Sequence, residues 1–141
     1  MFRILLAADG SENSLRAVDY LVQFLRGYKE APEVYLVNAQ PSLPGNVTMF
    51  VGSKEVKQYH DEEGAKALAP AKAKLDAAGI SYVSHIGVGE PSHVITAYAK
   101  EKNCKQIVMG TRGLGSLGGM FLGSVTTKVV HLSEVPVLLV K

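Results

Sequence analysis

Five short apolar runs, separated by longer segments of helical periodicity, limit the fold of this chain more than any other feature of its sequence. The runs are rich in Ile, Val and Leu, are bounded by Gly, Pro or Asp, and have the length of strands; they cover Phe2–Ala8, Val34–Ala39, Ile80–Gly87, Gln106–Gly110 and Val135–Val140. Four of them are almost continuously apolar, as strands covered on both faces are, whereas Ile80–Gly87 alternates with polar residues as an edge strand does.

The segments between the runs are predicted to be helices, which cover about Ser11–Arg26, Lys54–Ala78, a segment opening at Glu90-Pro91, and Gly123–Leu132. Ser11 is suited to cap the first helix, Pro70 should kink or split the second, and Leu132 belongs to the apolar face of the last. Gln40–Ser53 is rich in Pro and Gly and is predicted to be a loop, either disordered or acting as a lid. The alternation of strands and helices predicts a parallel sheet with helices on both faces.

Length and charge restrict the possible partners. A chain of 141 residues predicts one domain, and a net charge of +2 is too small to indicate a nucleic-acid or anionic-membrane partner. The single Cys104 excludes an intrachain disulfide and a multi-cysteine metal site, and the four histidines lack metal-ligand spacing. The first apolar run is cut off by Asp9, too early for a secretory signal, and no run approaches the roughly 18 residues of a membrane span. We therefore expect a soluble, cytoplasmic protein.

Glycine is concentrated after the fourth predicted strand. Six of the fourteen glycines fall within Gly110–Gly123, immediately before the last predicted helix. Such a loop can hold phosphate, because its backbone N–H groups converge on an anion, the helix dipole favours negative charge, and missing Cβ atoms allow close approach. Ser124 adds a hydroxyl to this predicted phosphate site, and Arg112 adds a cation.

Two common nucleotide motifs match this stretch only in part. Gly113–Gly118 has the letters of a dinucleotide fingerprint, but it follows the fourth strand, and the second strand ends without the acidic residue that holds a ribose. Gly118–Ser124 has the spacing of a P-loop, but Ser124 stands where the phosphate-binding Lys is required. The remaining glycines, Gly115, Gly118 and Gly119, also fit a flexible loop without a role in binding.

A third pattern is more specific. Gly110-x-x-Gly113, followed after nine residues by Gly123-Ser124, resembles the G-2x-G-9x-G-[S/T] signature of the universal stress protein family. Further segments resemble that family in the same order along the whole chain: Ala7–Ser11, Gly89–Pro91, Ile107–Gly110 and Val135–Val140. The chain departs from the family at Lys105-Gln106, where Asp and an apolar residue are common, and we expect this to affect only the turn into the fourth strand.

The resemblance implies a single domain over residues 1–141 with five parallel strands in the order 3-2-1-4-5, a Rossmann-like fold similar to that of adenine nucleotide alpha hydrolases. In that order, the carboxyl ends of strands 1 and 4 form the switch point at which open α/β sheets bind ligands. Asp9-Gly10 ends the first strand and Gly110–Gly113 follows the fourth, so we expect these two loops to meet.

The resemblance also implies ATP as the ligand, with Mg²⁺ or Mn²⁺ bridging its phosphates. In this reading, Gly113, Gly123, Ser124 and Val125 contact phosphates, Met109 and Gly110 lie near ribose, the Ala39 backbone bonds adenine, and Asp9 lies over the nucleotide. With the Arg112 cation, these residues form the predicted site.

The leading functional hypothesis is a stress-response protein that signals by nucleotide occupancy. One alternative is a slow ATP hydrolase that uses Asp9, Arg112 and Ser124 without a P-loop Lys. Another is a nucleotide-free, dimeric interaction protein on the same fold. We also expect a homodimer, because Val137–Val140 would leave an apolar strand edge open to pairing, and the resemblance implies dimerisation through this strand.

Overall fold

A computed structural model describes residues 1–113 and 122–141 of the chain. In these ranges the strands are Arg3–Ala7 (β1), Glu33–Gln40 (β2), Tyr82–Val88 (β3), Gln106–Gly110 (β4) and Val137–Val140 (β5). The helices of the same ranges are Glu12–Leu25 (α1), Gly45–Thr48 (α2), Ser53–Ala77 (α3), Pro91–Glu101 (α4) and Ser124–Leu132 (α5). The predicted alternation of strands and helices is confirmed, with the single-turn α2 added inside the segment predicted as a loop.

The five strands of the described residues form one parallel sheet in the order β3-β2-β1-β4-β5, as the resemblance implied. The polar strand β3 lies at one edge, also as predicted. Because the chain leaves the neighbouring strands β1 and β4 in opposite directions, a crevice opens where their carboxyl ends meet.

Alternate residues of the central strands enter two apolar layers. Ile4 and Leu6 face the layer formed with α1 and α3, whereas Leu5 and Ile107 face the layer formed with α4 and α5. All four side chains are fully buried. The central strands are therefore covered on both faces as predicted, while β5, with a described neighbour on one side only, is half-buried along its length.

Pro70 does not split α3, which runs without interruption from Ser53 to Ala77. Proline removes the N–H that the Lys66 carbonyl would accept, but both residues are exposed, so water can reach that carbonyl. Leu68 and Leu75, on either side of Pro70, are buried in the same layer and hold the two halves of the helix together.

The apolar face of α5 differs from the predicted one. Thr126 and Val129 are buried, whereas Leu132 is 42% exposed. Burial of Thr126 is tolerated because its hydroxyl donates to the Gly110 carbonyl at 3.1 Å. Within residues 1–113 and 122–141, no helix combines the length and the apolar character that crossing a bilayer requires.

Candidate functional site

A cleft of about 1050 Å³ opens at the carboxyl ends of β1, β2 and β4. Every residue of the predicted site lines it: Asp9, Ala39, Met109, Gly110, Arg112, Gly113, Gly123, Ser124 and Val125. The structure therefore brings together the turn after β1, the end of β2, the segment after β4 and the start of α5. The glycines Gly115, Gly118 and Gly119 lie outside the described residues.

The turn after β1 is fixed by short-range hydrogen bonds. The Asp9 carboxylate accepts the Ser11 N–H at 2.9 Å, and Ser11 caps α1 by accepting the Ser14 N–H at 3.1 Å, as its sequence position predicted. Gly10 adopts φ +86°, in the left-handed region, and a Cβ there would lie 3.3 Å from the Ala67 carbonyl oxygen of α3. The turn thus holds Asp9 at the cleft while α3 passes close behind it.

Gly123 precedes α5 and shapes the opposite wall. Its N–H donates to the Thr111 carbonyl at 2.8 Å, so the donor to which the resemblance assigned a phosphate contact is already used within the protein. A Cβ at Gly123 would lie 3.3 Å from the Arg112 Cα, and the glycine thereby lets the two backbones approach. The N–H groups of Ser124 and Val125 belong to the first turn of α5, where no intrahelical acceptor exists and the helix dipole favours an anion.

The end of β2 presents its main chain to the cleft. Pairing of β2 with β1 ends at Ala7 opposite Val37, while pairing with β3 continues to Gln40. The Val37 carbonyl accepts the Ala8 N–H at 2.9 Å, which fixes the main-chain groups of Val37 on the side of β1. Because these groups alternate along a strand, Ala39 directs its N–H and C=O to the same side, beyond the last residue of β1.

Two buried asparagines, neither of them predicted from the sequence, support the cleft. Asn13, 6% exposed, accepts the Arg112 N–H at 2.7 Å and donates to the Val140 carbonyl at 3.2 Å. Asn38, 2% exposed, donates to the Ala8 carbonyl at 2.8 Å. Asn38 interrupts an apolar strand, and since buried polar groups require partners, this was a detectable signal. Asn13 carried no such signal in the sequence, because polar residues are common in the first turn of a helix.

The cleft carries charges of both signs. Besides Asp9 and Arg112, it is lined by Glu63 and Lys66 of α3, which form an ion pair at 3.2 Å and were not predicted. Within the described part of the chain, no group of three His, Cys, Asp or Glu side chains could hold a metal ion.

Glu90 and Cys104 lie outside the cleft lining. Glu90 caps α4 by accepting the His93 N–H at 3.1 Å, and hydrogen bonding from the Ser92 hydroxyl lowers the pKa of its carboxyl. The Glu90 carboxylate also lies 3.7 Å from the Lys128 amine of α5. Burial raises the pKa of the Cys104 thiol, which keeps it protonated and unreactive near neutral pH.

Comparison with known proteins gives consistent matches. The model of the universal stress protein family matches residues 1–141. Universal stress protein YxiE of Bacillus subtilis is 35% identical over an alignment of 147 residues including gaps, which covers 99% of this chain and 98% of that protein. The solved structure of protein MJ0577 of Methanocaldococcus jannaschii is 30% identical with a TM-score of 0.84, covering 99% of this chain and 95% of that one. A universal stress protein solved in complex with cAMP is 26% identical with a TM-score of 0.72, and the match covers 99% of this chain and 97% of that one.

Proposed function

The chain belongs to the universal stress protein family, and on that premise we propose that it binds ATP in the cleft at the carboxyl ends of β1, β2 and β4 and signals by nucleotide occupancy. One observation carries the proposal: the residues predicted for adenine, ribose and phosphates all line this one cleft. The similar protein solved with cAMP supports an adenine nucleotide as the class of ligand.

The adenine base would occupy the end of the cleft formed by β2. There the Ala39 N–H and C=O offer one donor and one acceptor side by side, the complement of the N1 acceptor and the N6 amino donor on the Watson–Crick edge of adenine. Ile95, Met109 and Val125 line the same cleft and supply apolar surface for the faces of a base.

The phosphates would lie against the start of α5. Several groups there can donate hydrogen bonds to an anion: the N–H groups of Ser124 and Val125, the Ser124 hydroxyl and the Arg112 guanidinium. The Asp9 carboxylate lies beside Gly113, where an added Cβ would overlap it, and it would complete the coordination of a Mg²⁺ or Mn²⁺ ion held mainly by phosphate oxygens and water. Three separate kinds of donor favour a polyphosphate over a nucleoside.

The contacts of the cleft carboxylates favour ATP binding without hydrolysis over ATP hydrolysis. In the described part of the cleft lining, the carboxylates are Asp9 and Glu63. Asp9 accepts the Ser11 N–H, and Glu63 is paired with Lys66. Because Asp9 is also the proposed metal ligand and Glu63 has a cationic partner, neither carboxylate is well suited to act as the base that activates water for hydrolysis.

Calorimetric titration with ATP and Mg²⁺ tests the proposal, together with analysis of nucleotide released on denaturation. Ser124→Ala removes one donor to a charged group and should weaken ATP binding about tenfold, the equivalent of roughly 1.4 kcal/mol. Thr127→Val is the matched control, because it removes an exposed hydroxyl from the same helix outside the cleft lining. Absence of binding by the unaltered protein at millimolar ATP would refute the proposal.

We propose further that the protein is a cytoplasmic homodimer paired through β5. The carbonyls of Pro136 and Val140 accept N–H groups from the β4 side, so by alternation the main-chain groups of Leu139 point away from β4. Leu139→Pro removes one outward N–H and should shift sedimentation toward monomer. Ser84→Pro removes an outward N–H from the opposite edge strand and should not. An unaltered protein that sediments as a monomer at micromolar concentration would contradict the dimer.

A further inference from the structure

The hydrogen-bonded ladder between β1 and β2 ends before it reaches Ala39. Ala7 pairs with Val37, and the Ala8 N–H donates to the Val37 carbonyl at 2.9 Å. In a parallel ladder the next bond would run from the Ala39 N–H to the Ala8 carbonyl. In the described structure the Ala8 carbonyl instead accepts the Asn38 side-chain amide at 2.8 Å.

Asn38 is held in the position that makes this substitution possible. Its side chain lies on the face of β2 that carries Leu36, is almost fully buried, and accepts the Gln40 amide at 2.7 Å. With both ends of the carboxamide bonded, the side chain is fixed in one orientation, with its amino group toward Ala8. The position is otherwise suited to an apolar residue, because β2 is a central strand covered on both faces.

We propose that Asn38 is a specificity-determining positioning residue: it ends the β1–β2 ladder early and thereby keeps the Ala39 main chain available to an adenine base. This inference rests on the proposed function and names the residue that decides base recognition in it. Asn38 itself lines the cleft, and the role proposed for it is exerted through the main chain of Ala39. An apolar residue at position 38 leaves the Ala8 carbonyl to accept the Ala39 N–H, which closes the donor that adenine would use.

The consequence separates binding from stability. Removing a buried hydrogen-bonding side chain usually costs stability, since its partners are left unsatisfied. In Asn38→Val the Ala8 carbonyl gains the Ala39 N–H as a replacement, and Gln40 is half-buried at the cleft, where water can reach it. The variant should therefore melt no lower than a matched core variant while losing recognition of the base.

The test compares the unaltered protein, Asn38→Val and the matched control Val34→Ala, a buried residue on the same strand and the same face. Calorimetry measures binding of ATP, inosine triphosphate and inorganic tripolyphosphate, and hydrogen exchange by NMR measures protection of the Ala39 amide without ligand. Asn38→Ala is the second variant, which removes the amide without adding bulk.

In Asn38→Val we expect ATP affinity to fall about tenfold for each base hydrogen bond lost, with the preference for ATP over inosine triphosphate abolished and tripolyphosphate binding unchanged. The Ala39 amide should exchange rapidly in the unaltered protein and slowly in Asn38→Val. Equal losses of ATP and tripolyphosphate binding, or unchanged ATP binding, would overturn the inference.

Failure of the proposed function gives a different result. If the unaltered protein binds no ATP, the ligand assignment falls, but the exchange rates still decide the role of Asn38. An Ala39 amide that is protected to the same degree in the unaltered protein and in Asn38→Val would show that Asn38 does not end the ladder, and would overturn the inference independently of any nucleotide.

Discussion

The two ends of the sheet differ in what lines them. The carboxyl end carries the cleft of about 1050 Å³, lined by glycines, main-chain groups and side chains such as Ser124. The amino ends of β2 and β3 border a cavity of about 610 Å³, lined largely by apolar side chains that include Val22, Leu25 and Ile80. The cleft at the carboxyl end is shaped by hydrogen bonds and by glycines, which have no Cβ atom. The cavity at the amino end is shaped by apolar side chains that do not fill the space between them.

Polar contacts also serve different purposes at the two ends. At the amino end, Arg3 of β1 pairs with Glu33 of β2 at 2.8 Å and donates to the Lys102 carbonyl, just after α4, at 2.9 Å, so its contacts join structural elements. At the carboxyl end, Asn13 accepts the Arg112 N–H and Asn38 donates to the Ala8 carbonyl, which are main-chain groups just beyond the ends of β4 and β1. The comparison indicates that substitutions at the amino end should lower stability alone, whereas those at the carboxyl end should also change ligand binding.

Gly110→Ala should have the largest effect, because at the carboxyl end it places a Cβ against both the main chain and the side chain of Asn13. A Cβ at Gly110 would lie 2.9 Å from the Asn13 main-chain oxygen and would overlap the Asn13 side chain, so the first turn of α1 must move. We expect a loss of about 3 kcal/mol in the free energy of unfolding, with ATP binding weakened by more than about tenfold. Urea denaturation and calorimetry measure the two quantities; a folded variant with normal ATP affinity would break the comparison.

Leu25→Ala tests the amino end. Leu25 is buried at the end of α1 and lines the smaller cavity. We expect the free energy of unfolding to fall by about 2 kcal/mol, near the lower limit for a buried Leu→Ala change because the site already borders open space. ATP affinity should stay unchanged, as measured in the same titration. A parallel loss of affinity would mean that the two ends are coupled through α1.

Glu90→Gln should have the smallest effect on stability and none on ATP binding. The dependence of its effect on pH tests whether a polar group close to the cleft, but outside its lining, affects stability alone. Glu90 is a polar group near the cleft, yet it caps α4 and does not line the cleft. Since its folded-state pKa is lowered, the ionised carboxyl stabilises the fold at pH values above the unfolded-state pKa of Glu, and this stabilisation is lost as the pH falls through the lowered value.

The unaltered protein should therefore melt above Glu90→Gln at pH 7, and the gap should close in strongly acidic buffer. Melting curves of both proteins across this range check the sign. A gap that is independent of pH, or a change in ATP affinity at pH 7, would remove Glu90 from the stabilising role assigned to it.

Local signals accounted for the element boundaries near the cleft. Ser11 caps α1, Glu90 and Pro91 begin α4, and Gly123 precedes α5, each at the predicted position. The Ser11 and Glu90 side chains bond main-chain N–H groups three residues further on, while Pro91 and Gly123 act through their own backbone preferences, so the sequence is sufficient to place these boundaries. The strand order came from the family resemblance, because local patterns do not state which parallel strands become neighbours.

Other features were outside the reach of local reasoning. Pro70 was expected to disturb α3, but the packing of Leu68 and Leu75 into one layer kept the helix continuous. Leu132 was assigned to the core, but Thr126 took the buried place through its bond to Gly110. In both cases contacts with distant parts of the chain outweighed the local preference.

The sequence by itself determined the alternation of strands and helices and the caps and turns near the cleft, because periodicity and short-range hydrogen bonds depend on neighbouring positions. The sequence and its family resemblance together named nine of the residues that line the cleft, whereas others, among them Asn38, Glu63 and Lys66, came only from the structure. Only the tertiary structure decided three hydrogen bonds of the cleft. The Gly123 N–H donates to the Thr111 carbonyl, the Arg112 N–H donates to the Asn13 side chain, and the Asn38 side chain, not the Ala39 N–H, donates to the Ala8 carbonyl. Those choices join groups far apart along the chain, and which of several donors reaches a given carbonyl depends on where each strand ends beside its neighbour.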